Sequence, residues 1–427
     1  MAEHAKPRGT SDLTPEEAFA WQGVEELLRA TFHAYHFREI RTPVFEHTEV
    51  FERGVGDTTD IVQKEMYTFT DRGGRSMTLR PEGTAGVARA FVEHKWYGGP
   101  LPLKLYYMGP IFRYEKPQAG RYRQHQQYGV EALGSVDPRL DAEVIQLADR
   151  FLRAAGVQSL RLELNSVGCP ACRATHRDLL LAHLTPVREE LCADCQGRLE
   201  KNPLRVLDCK IDRDHPVVLQ SPTITDHLCD DCAAHFAGVK AGLDALDVPY
   251  TVNKVLVRGL DYYTRTAFEF MEDSIGAMST ILGGGRYDGL VRLLGGPETA
   301  GIGFAGGMER LMLARQANGV AEDGADTVDA YVIGLGEGGR MAALKVAREL
   351  RDAGVATEVD YTGRSLKAQL KTADRLQARA AVLIGDDEVA AGVASVRELV
   401  EKQQAAVPLR QVAGHVARLV ASVRERG

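Results

Sequence analysis

From Tyr106 to Glu131 the chain reads YYMGPIFRYEKPQAGRYRQHQQYGVE: a strand-like run, a basic loop and a return strand. Arg113, Lys116, Arg121 and Arg123 fall in or beside the loop, where planar guanidinium forks suit phosphate oxygens. Glu115 is a carboxylate that can accept from an exocyclic amine. The same charges would also suit a solvated hairpin. A second dense segment runs from Val257 to Glu269 (VRGLDYYTRTAFE) and joins two apolar runs through a turn crowded with Arg, Asp and Tyr. Such groups collect in a core only when they are paired, as Arg258 with Asp261, or when they bind something. Gly283 to Gly289 (GGGRYDG) and Gly301 to Arg310 (GIGFAGGMER) read as glycine-rich entries into helices, open to close approach by a ligand or by neighbouring backbone.

Two further patterns carry chemistry with less specificity. Gly334 to Gly339 (GLGEGG) follows a predicted strand, precedes a predicted helix and has Asp360 downstream, as a dinucleotide fingerprint requires. The segment after it is too short for the two mononucleotide halves of such a fold, so a strand-to-helix turn is the favoured reading. Arg364, Lys367, Lys371, Arg375 and Arg379 recur every three or four residues, which predicts one basic helical face, solvated or RNA-facing. The seven cysteines all lie between Cys169 and Cys232. Cys169-x2-Cys172 and Cys192-x2-Cys195 fit a four-thiolate zinc spacing, with Cys209 and the Cys229-x2-Cys232 pair as further candidates. Structural zinc is therefore possible, through a choice of four that spacing leaves open.

The elements that must position these residues are legible in outline. Thr14-Pro15-Glu16-Glu17 offers a capped helix start, and Phe19, Val24, Leu27, Leu28, Phe32 and Tyr35 recur at helical spacing, predicting a helix from Pro15 to Tyr35. Strands are predicted at 38–45, 66–70, 77–79, 103–108 and 127–132, then at 252–257 and 266–270 after a Cys-rich, helix-prone insertion at about 165–248. A small acidic linker at 321–327 precedes strands at 330–333, 357–359 and 380–384 that alternate with helices in a βαβ unit. The chain is thus α+β: an antiparallel-sheet domain over 1–320 with a helical insertion, and an α/β domain over 328–427. Its 427 residues carry 52 Lys+Arg against 59 Asp+Glu, net −7, while the part from Val328 onward holds 15 basic against 13 acidic. Nucleic acid would have to be met by local basic patches. No apolar run approaches the roughly 18 residues of a membrane span, and MAEHAKPRGTSDL lacks a signal-peptide pattern. A cytoplasmic protein is expected.

Taken together, these segments resemble the histidine–tRNA ligases, class II aminoacyl-tRNA synthetases, from Lys6-Pro-Arg-Gly-Thr-Ser-Asp12 almost to the C-terminus. Arg38 to Glu46 is similar to motif 1, Phe112-Arg-Tyr-Glu115 to motif 2 and Gly301 to Arg310 to motif 3. Leu79-Arg-Pro-Glu-Gly-Thr84, Arg258-Gly-Leu-Asp-Tyr-Tyr263 and Gly283 to Gly289 resemble the histidine-specific pieces. The resemblance implies that Arg113 holds the α-phosphate of ATP, Glu115 reads the adenine amino group and Arg310 holds the γ-phosphate, with Mg²⁺ accompanying the nucleotide. It implies that Glu82 and Thr84 take the α-amino group of L-histidine, and that Gln127, Glu131, Tyr262, Tyr263 and Tyr287 line its pocket, with Glu131 and Tyr263 on the imidazole nitrogens. Arg258 would be the catalytic cation, alongside Arg113. His125 departs from the pattern, standing where many family members have a phenylalanine stacked on adenine. Also implied are a homodimer built through motif 1, an insertion near the acceptor stem of tRNA(His), and anticodon binding by the C-terminal domain. A rival reading is the catalytically silent paralogue that regulates ATP phosphoribosyltransferase. A nicotinamide-dependent enzyme using Gly334 to Gly339 explains nothing before residue 320.

Overall fold

Along 124–133, Tyr128, Val130 and Ala132 alternate with Gln127, Gly129 and Glu131, and successive side chains of a strand point to opposite faces. This alternation separates a core from a cleft. The computed structural model describes residues 5–56, 59–201, 203–207, 209, 211–212, 214–257, 259–275, 280–320 and 327–426. It divides into Met1–Asp12 with Trp21–Ala321, and Leu13–Ala20 with Glu322–Gly427. No described helix is long and apolar enough to cross a membrane.

The strands of the first unit are β1 (Arg38–Glu39), β2 (Phe45–His47), β3 (Tyr67–Thr70), β4 (Ser76–Leu79), β5 (Leu103–Phe112), β6 (Gln124–Leu133), β7 (Leu160–Ser166), β8 (Thr251–Val252), β9 (Thr264–Glu272), β10 (Thr280–Arg286) and β11 (Gly301–Gly307). Eight of them form one sheet in the order β1-β5-β6-β11-β10-β9-β7-β8, antiparallel except for the β1/β5 and β7/β8 edges; β2, β4 and β3 form a second. Its helices are α1 (Pro15–Ala34, of which the part up to Ala20 is counted with the second unit), α2 (Thr48–Val55), α3 (Thr84–Glu93), α4 (Pro138–Ala154), α5 (Pro170–Leu184), α6 (Ala193–Lys201), α7 (Pro216–Leu219), α8 (Asp230–Ala245), α9 (Leu290–Leu293) and α10 (Met308–Ala317). Helix α1 starts with the predicted capping box: Thr14 N donates to Glu17 Oε2 at 2.9 Å and Glu17 N to Thr14 Oγ1 at 3.4 Å.

One face of the large sheet is closed by aromatic packing. Phe32 meets Tyr106, Phe151 and Phe304 edge-on at 5.6, 5.5 and 6.0 Å, and Tyr128 meets Phe151 at 5.2 Å. The glycine-rich segments do lead into helices, α9 at Leu290 and α10 at Met308, but most of each is a central strand: Gly283–Arg286 lies in β10, and Gly301–Gly307 is β11. The predicted strand 252–257 shrinks to Thr251–Val252. The run at 38–45 is broken into β1 and β2 by a segment containing Thr42-Pro43, because proline cannot donate to a ladder.

A buried ion pair fixes β10 from behind. The Arg286 and Asp141 side chains are both fully buried and paired. Arg286 also donates to the Ser135 carbonyl at 2.8 Å and to Asp288 at 3.0 Å, and Thr266 Oγ1 donates to Asp141 Oδ2 at 2.6 Å. Asp141→Ala strands a buried guanidinium with only part of its partners, and is expected to lower stability by about 3 kcal/mol in urea unfolding. A variant as stable as the parent would contradict this account of the pair.

In the second unit, β12 (Ala330–Gly334), β13 (Thr357–Val359), β14 (Ala380–Ile384), β15 (Val393–Glu398) and β16 (Gln404–Pro408) form a sheet in the order β13-β12-β14-β15-β16. The first three strands are parallel and the last two antiparallel. Helices α11 (Gly336–Asp352), α12 (Leu366–Arg375), α13 (Asp386–Ala391) and α14 (Val412–Arg426) accompany it. Val332, Val346, Leu350, Val382, Val416 and Val420 share one core cluster, while Tyr331, Ile333 and Ala373 share another. The start of α11, where a pyrophosphate would sit, is filled by the chain's own carboxylate: Asp386 Oδ1 accepts from Gly339 N at 3.1 Å. The predicted five-residue basic face is shortened. Helix α12 carries only Lys367, Lys371 and Arg375, because Ser365 caps it at 3.4 Å. Arg364 turns back to Asp360 at 3.3 Å, and Arg379 pairs with the buried Asp329.

Candidate active site

The face of β6 opposite the aromatic core carries His125, Gln127, Gly129 and Glu131, and β11 answers them with small residues. Gly303 stands opposite Glu131, Ala305 opposite Gly129 and Gly307 opposite Gln127; Gly285 of β10 stands opposite Gly303. Large side chains lie over this floor. A Cβ on Gly303 would sit 2.1 Å from Glu131 Oε2, one on Gly301 2.3 Å from the Tyr287 ring, and one on Gly285 2.7 Å from the Tyr263 ring. The glycines thus leave room for bulky groups carried by the neighbouring β6 and by the residues next to β9 and β10, rather than relax the backbone.

The resulting cleft has an empty volume, open solvent included, of about 970 Å³ and is lined by Glu82, Thr84, Arg113, Glu115, His125, Gln127, Glu131, Tyr262, Tyr263, Tyr287 and Arg310, among others. Every described residue that the family resemblance assigned to the site is in it. Arg258 lies outside the described residues. Lys116 and Arg123 do not line the cleft; the Arg123 guanidinium stacks on the Tyr114 ring at 3.9 Å.

At the closed end, Glu131 accepts from Thr84 Oγ1 at 2.7 Å and from the Tyr287 hydroxyl. Burial pushes its carboxyl up to about 8, against the pull of these two donors. Glu82 is also buried and raised by burial, but Thr84 N and Ala85 N at the start of α3 each donate to it at 2.7 Å and hold it down. Tyr262 packs on Tyr263 with centroids 4.8 Å apart and on Tyr287 at 5.7 Å. Tyr107, Tyr262 and Tyr287 are raised by burial and nearby carboxylates, so their hydroxyls stay protonated. The Tyr107 hydroxyl donates to Gln127 Oε1 at 3.2 Å, which leaves the Gln127 amide nitrogen as the donor toward the cleft.

At the open end the charge is positive. Arg113 Nε donates to the Pro81 carbonyl at 2.7 Å, and Arg310 donates to the Gly120 and Thr280 carbonyls at 3.2 and 2.8 Å. Glu115 is paired with Arg121, a contact that sequence reasoning missed by casting Arg121 as a phosphate ligand. His125 is lowered to about 3, first by burial and then by Arg113 and Arg310, so its ring is neutral and offers a flat face without added charge. Also missed were Tyr107, whose only sequence signal is its strand register opposite Gly129, and Glu309. The latter accepts from Gln126 N at 2.9 Å while burial raises it to about 7.

The cleft thus sets two buried carboxyl groups at one end and two arginines at the other, on a glycine floor. The family model described as Histidyl-tRNA synthetase matches residues 9–174 and 204–311, and that of an Anticodon binding domain matches 329–419. The chain belongs to the histidyl-tRNA synthetase family. It is 54% identical over 415 residues to a histidine–tRNA ligase of Moorella thermoacetica, covering 97% of this chain and 98% of that protein. It is 53% identical over 413 residues to the histidine–tRNA ligase of Geobacillus sp. (strain WCH70), with 96% and 98% covered. Among solved structures, apo histidyl-tRNA synthetase of S. aureus superposes with a TM-score of 0.83 at 40% identity, covering 97% of this chain and all of that one. A Bacillus halodurans structure titled as an ATP phosphoribosyltransferase regulatory subunit/histidyl-tRNA synthetase shares the fold, with a TM-score of 0.65 at 20% identity.

Proposed function

We propose that this chain activates L-histidine with Mg²⁺-bound ATP and transfers the histidyl group to the 3′ end of tRNA(His). The observation that carries this reading is the convergence of Glu82, Thr84, Gln127, Glu131 and three tyrosines at one end of a cleft whose other end presents Arg113 and Arg310. The histidine carboxylate attacks the α-phosphorus, the bond to the β-phosphate oxygen breaks, and histidyl-adenylate and pyrophosphate form. A hydroxyl of the terminal tRNA ribose then attacks the activated carbonyl and AMP leaves. In-line displacement of this kind needs positioning and neutralisation of charge rather than a protein nucleophile.

In this reading Arg113 holds the α-phosphate, Arg310 the γ-phosphate and Glu115 the adenine amino group once Arg121 yields it. The neutral His125 ring stacks on adenine, and Arg258 adds a cation at the α-phosphate. Glu82 and Thr84 take the α-amino group. Gln127, Tyr262 and Tyr287 close the side-chain pocket, in which Glu131 and Tyr263 meet the imidazole nitrogens. Residues 1–320 are the catalytic domain, with an insertion at about 165–248, and 328–427 bind the anticodon. The protein works as a cytoplasmic homodimer. The regulatory-paralogue reading is not favoured, since near-full-length identity of 52–54% is to histidine–tRNA ligases.

Histidine-dependent ATP–pyrophosphate exchange followed by charging of tRNA(His) tests the assignment, because the silent paralogue performs neither. A chain ending at residue 320 is expected to keep exchange and charge tRNA poorly. Absence of exchange in the full chain overturns the function; equal charging by both chains overturns the domain assignment.

A further inference from the structure

Spacing left the choice of four cysteines open, with Cys169, Cys172, Cys192 and Cys195 as one set that fits, but the fold separates these two pairs. Cys169, Cys172, Cys229 and Cys232 gather at one point, and Cys192, Cys195 and Cys209 gather with Asp212 at another. In the first group each Cys-x2-Cys pair straddles a helix start: Cys169 and Cys229 immediately precede α5 and α8, and Cys172 and Cys232 lie in their first turns. The four sulfurs lie within 4.8 Å of one another, with Cys169–Cys172 at 3.6 Å and Cys169–Cys229 at 3.9 Å. Tetrahedral zinc at about 2.3 Å from each sulfur sets sulfurs about 3.8 Å apart. Disulfides are a poor alternative, since one sulfur here has two near neighbours and all four are free thiols.

The backbone is shaped to the same point. Cys229 N donates to Cys172 Sγ at 3.2 Å, a contact that strengthens when the sulfur is a thiolate. Gly168 has φ +61°, and a Cβ there would lie 2.6 Å from Cys172 Cβ, so only glycine admits the turn into the first pair. Cys172 and Cys232 are buried while Cys229 is exposed, which gives an ion a way in.

We propose that Cys169, Cys172, Cys229 and Cys232 bind one structural zinc ion, which clips the two ends of the insertion together and thereby holds the tyrosine wall of the cleft. Four protein ligands leave no open position, which makes the site structural rather than catalytic. The link to the wall is direct. Arg265 N donates to the Gly168 carbonyl at 2.9 Å and Val167 N to the Arg265 carbonyl at 2.7 Å, two residues beyond Tyr263. Arg173, next to Cys172, donates to the Asp261 carbonyl at 3.4 Å. The wall's role in binding histidine rests on the function proposed above; the metal site does not. The second group is a different donor set, three thiols and the carboxylate of Asp212, which accepts from Cys192 N at 3.0 Å.

The test is elemental analysis and cobalt substitution of the full chain purified without chelator. The parent is expected to hold zinc, and its cobalt form to show the charge-transfer and ligand-field absorption of a tetrahedral thiolate site. Cys169→Ser with Cys232→Ser should remove one equivalent of zinc and that spectrum, whereas Cys192→Ser with Cys209→Ser should keep the spectrum. Misplacement of a positioning wall predicts a histidine KM raised about tenfold in the first variant, with a smaller change for ATP. Identical metal content in the parent and the first variant overturns the site. Should that variant not fold, alkylation of the parent decides: Cys229 should resist iodoacetamide until a chelator is added, and equal labelling either way overturns the proposal. Zinc binding in a chain that shows no exchange would sink the function and leave the site standing.

Discussion

Arg113→Ala is expected to lower histidine-dependent pyrophosphate exchange by about 10²–10³ in kcat, roughly 3–4 kcal/mol of lost transition-state stabilisation, with a much smaller change in the histidine KM. The magnitude follows from how the side chain is held. Arg113 follows β5, where the backbone turns from the sheet into the loop, and its N–H donates to the Arg123 carbonyl at 2.9 Å. Its Nε is fixed on the Pro81 carbonyl at 2.7 Å, one residue before Glu82, so the guanidinium reaches the cleft already oriented. A preset cation needs no reorganisation when negative charge develops at phosphorus, and it is worth most in such a case. Arg113→Lys keeps the charge but has no Nε to lock and no fork, so it should recover only a minor part of the loss. A raised ATP KM with normal kcat in Arg113→Ala would mean that Arg113 binds the ground state only, and the assignment would fail.

Arg113 was legible in sequence because a strand, a basic loop and a return strand follow one another between Tyr106 and Glu131; the structure lengthens those strands to Leu103–Phe112 and Gln124–Leu133 and pairs them from Phe112/Gln124 to Leu103/Leu133. The floor of the cleft was not legible. Gly283 to Gly285 and Gly301 to Gly307 have poor strand propensity and resemble phosphate-binding turns, and what makes them strands is tertiary: Glu131, Tyr263 and Tyr287 need the space their missing side chains leave. Reading these segments as helix entries caught only their ends, Gly289 before α9 and Gly307 before α10, and missed the strands that cross-strand packing makes of the rest. The basic stripe failed for a related reason. Helical spacing held over Lys367, Lys371 and Arg375, but Asp360 and Asp329 drew Arg364 and Arg379 into ion pairs outside the helix. The cysteines show the limit of spacing: pairs adjacent in sequence are split, and pairs about sixty residues apart meet, because helices α5 and α8 begin side by side. In the second unit, β15 and β16 were not anticipated; VASVRE and QAAVP are short, and most of the β16 residues are exposed.

Glu131 sets the second large effect, and its protonation gives that effect a signature. With its carboxyl raised to about 8 by burial, the empty cleft at neutral pH holds Glu131 protonated. A carboxyl raised in the folded state adds stability that is fully present below its unfolded value of about 4.3 and is lost as pH rises through about 8. Free imidazole titrates near ~6.5. Between those values, neutral imidazole plus protonated Glu131 carries the same number of protons as imidazolium plus carboxylate, so histidine binds without net proton exchange and the ion pair forms by transfer within the site. Below ~6.5 the pair must shed a proton, and above about 8 it must take one up. The profile of kcat/KM for histidine is therefore expected to be a bell with limbs near those values. Glu131→Ala should lower its plateau by about 2–3 kcal/mol, some 30- to 150-fold, with the ATP KM nearly unchanged, because a buried ring N–H loses a charged partner. Glu131→Gln keeps the shape but cannot titrate, so the alkaline limb near 8 should vanish while the acid limb near ~6.5, set by the substrate imidazole, remains. A bell that survives unchanged in Glu131→Gln would show that the shared proton lies elsewhere and that Glu131 does not face the imidazole.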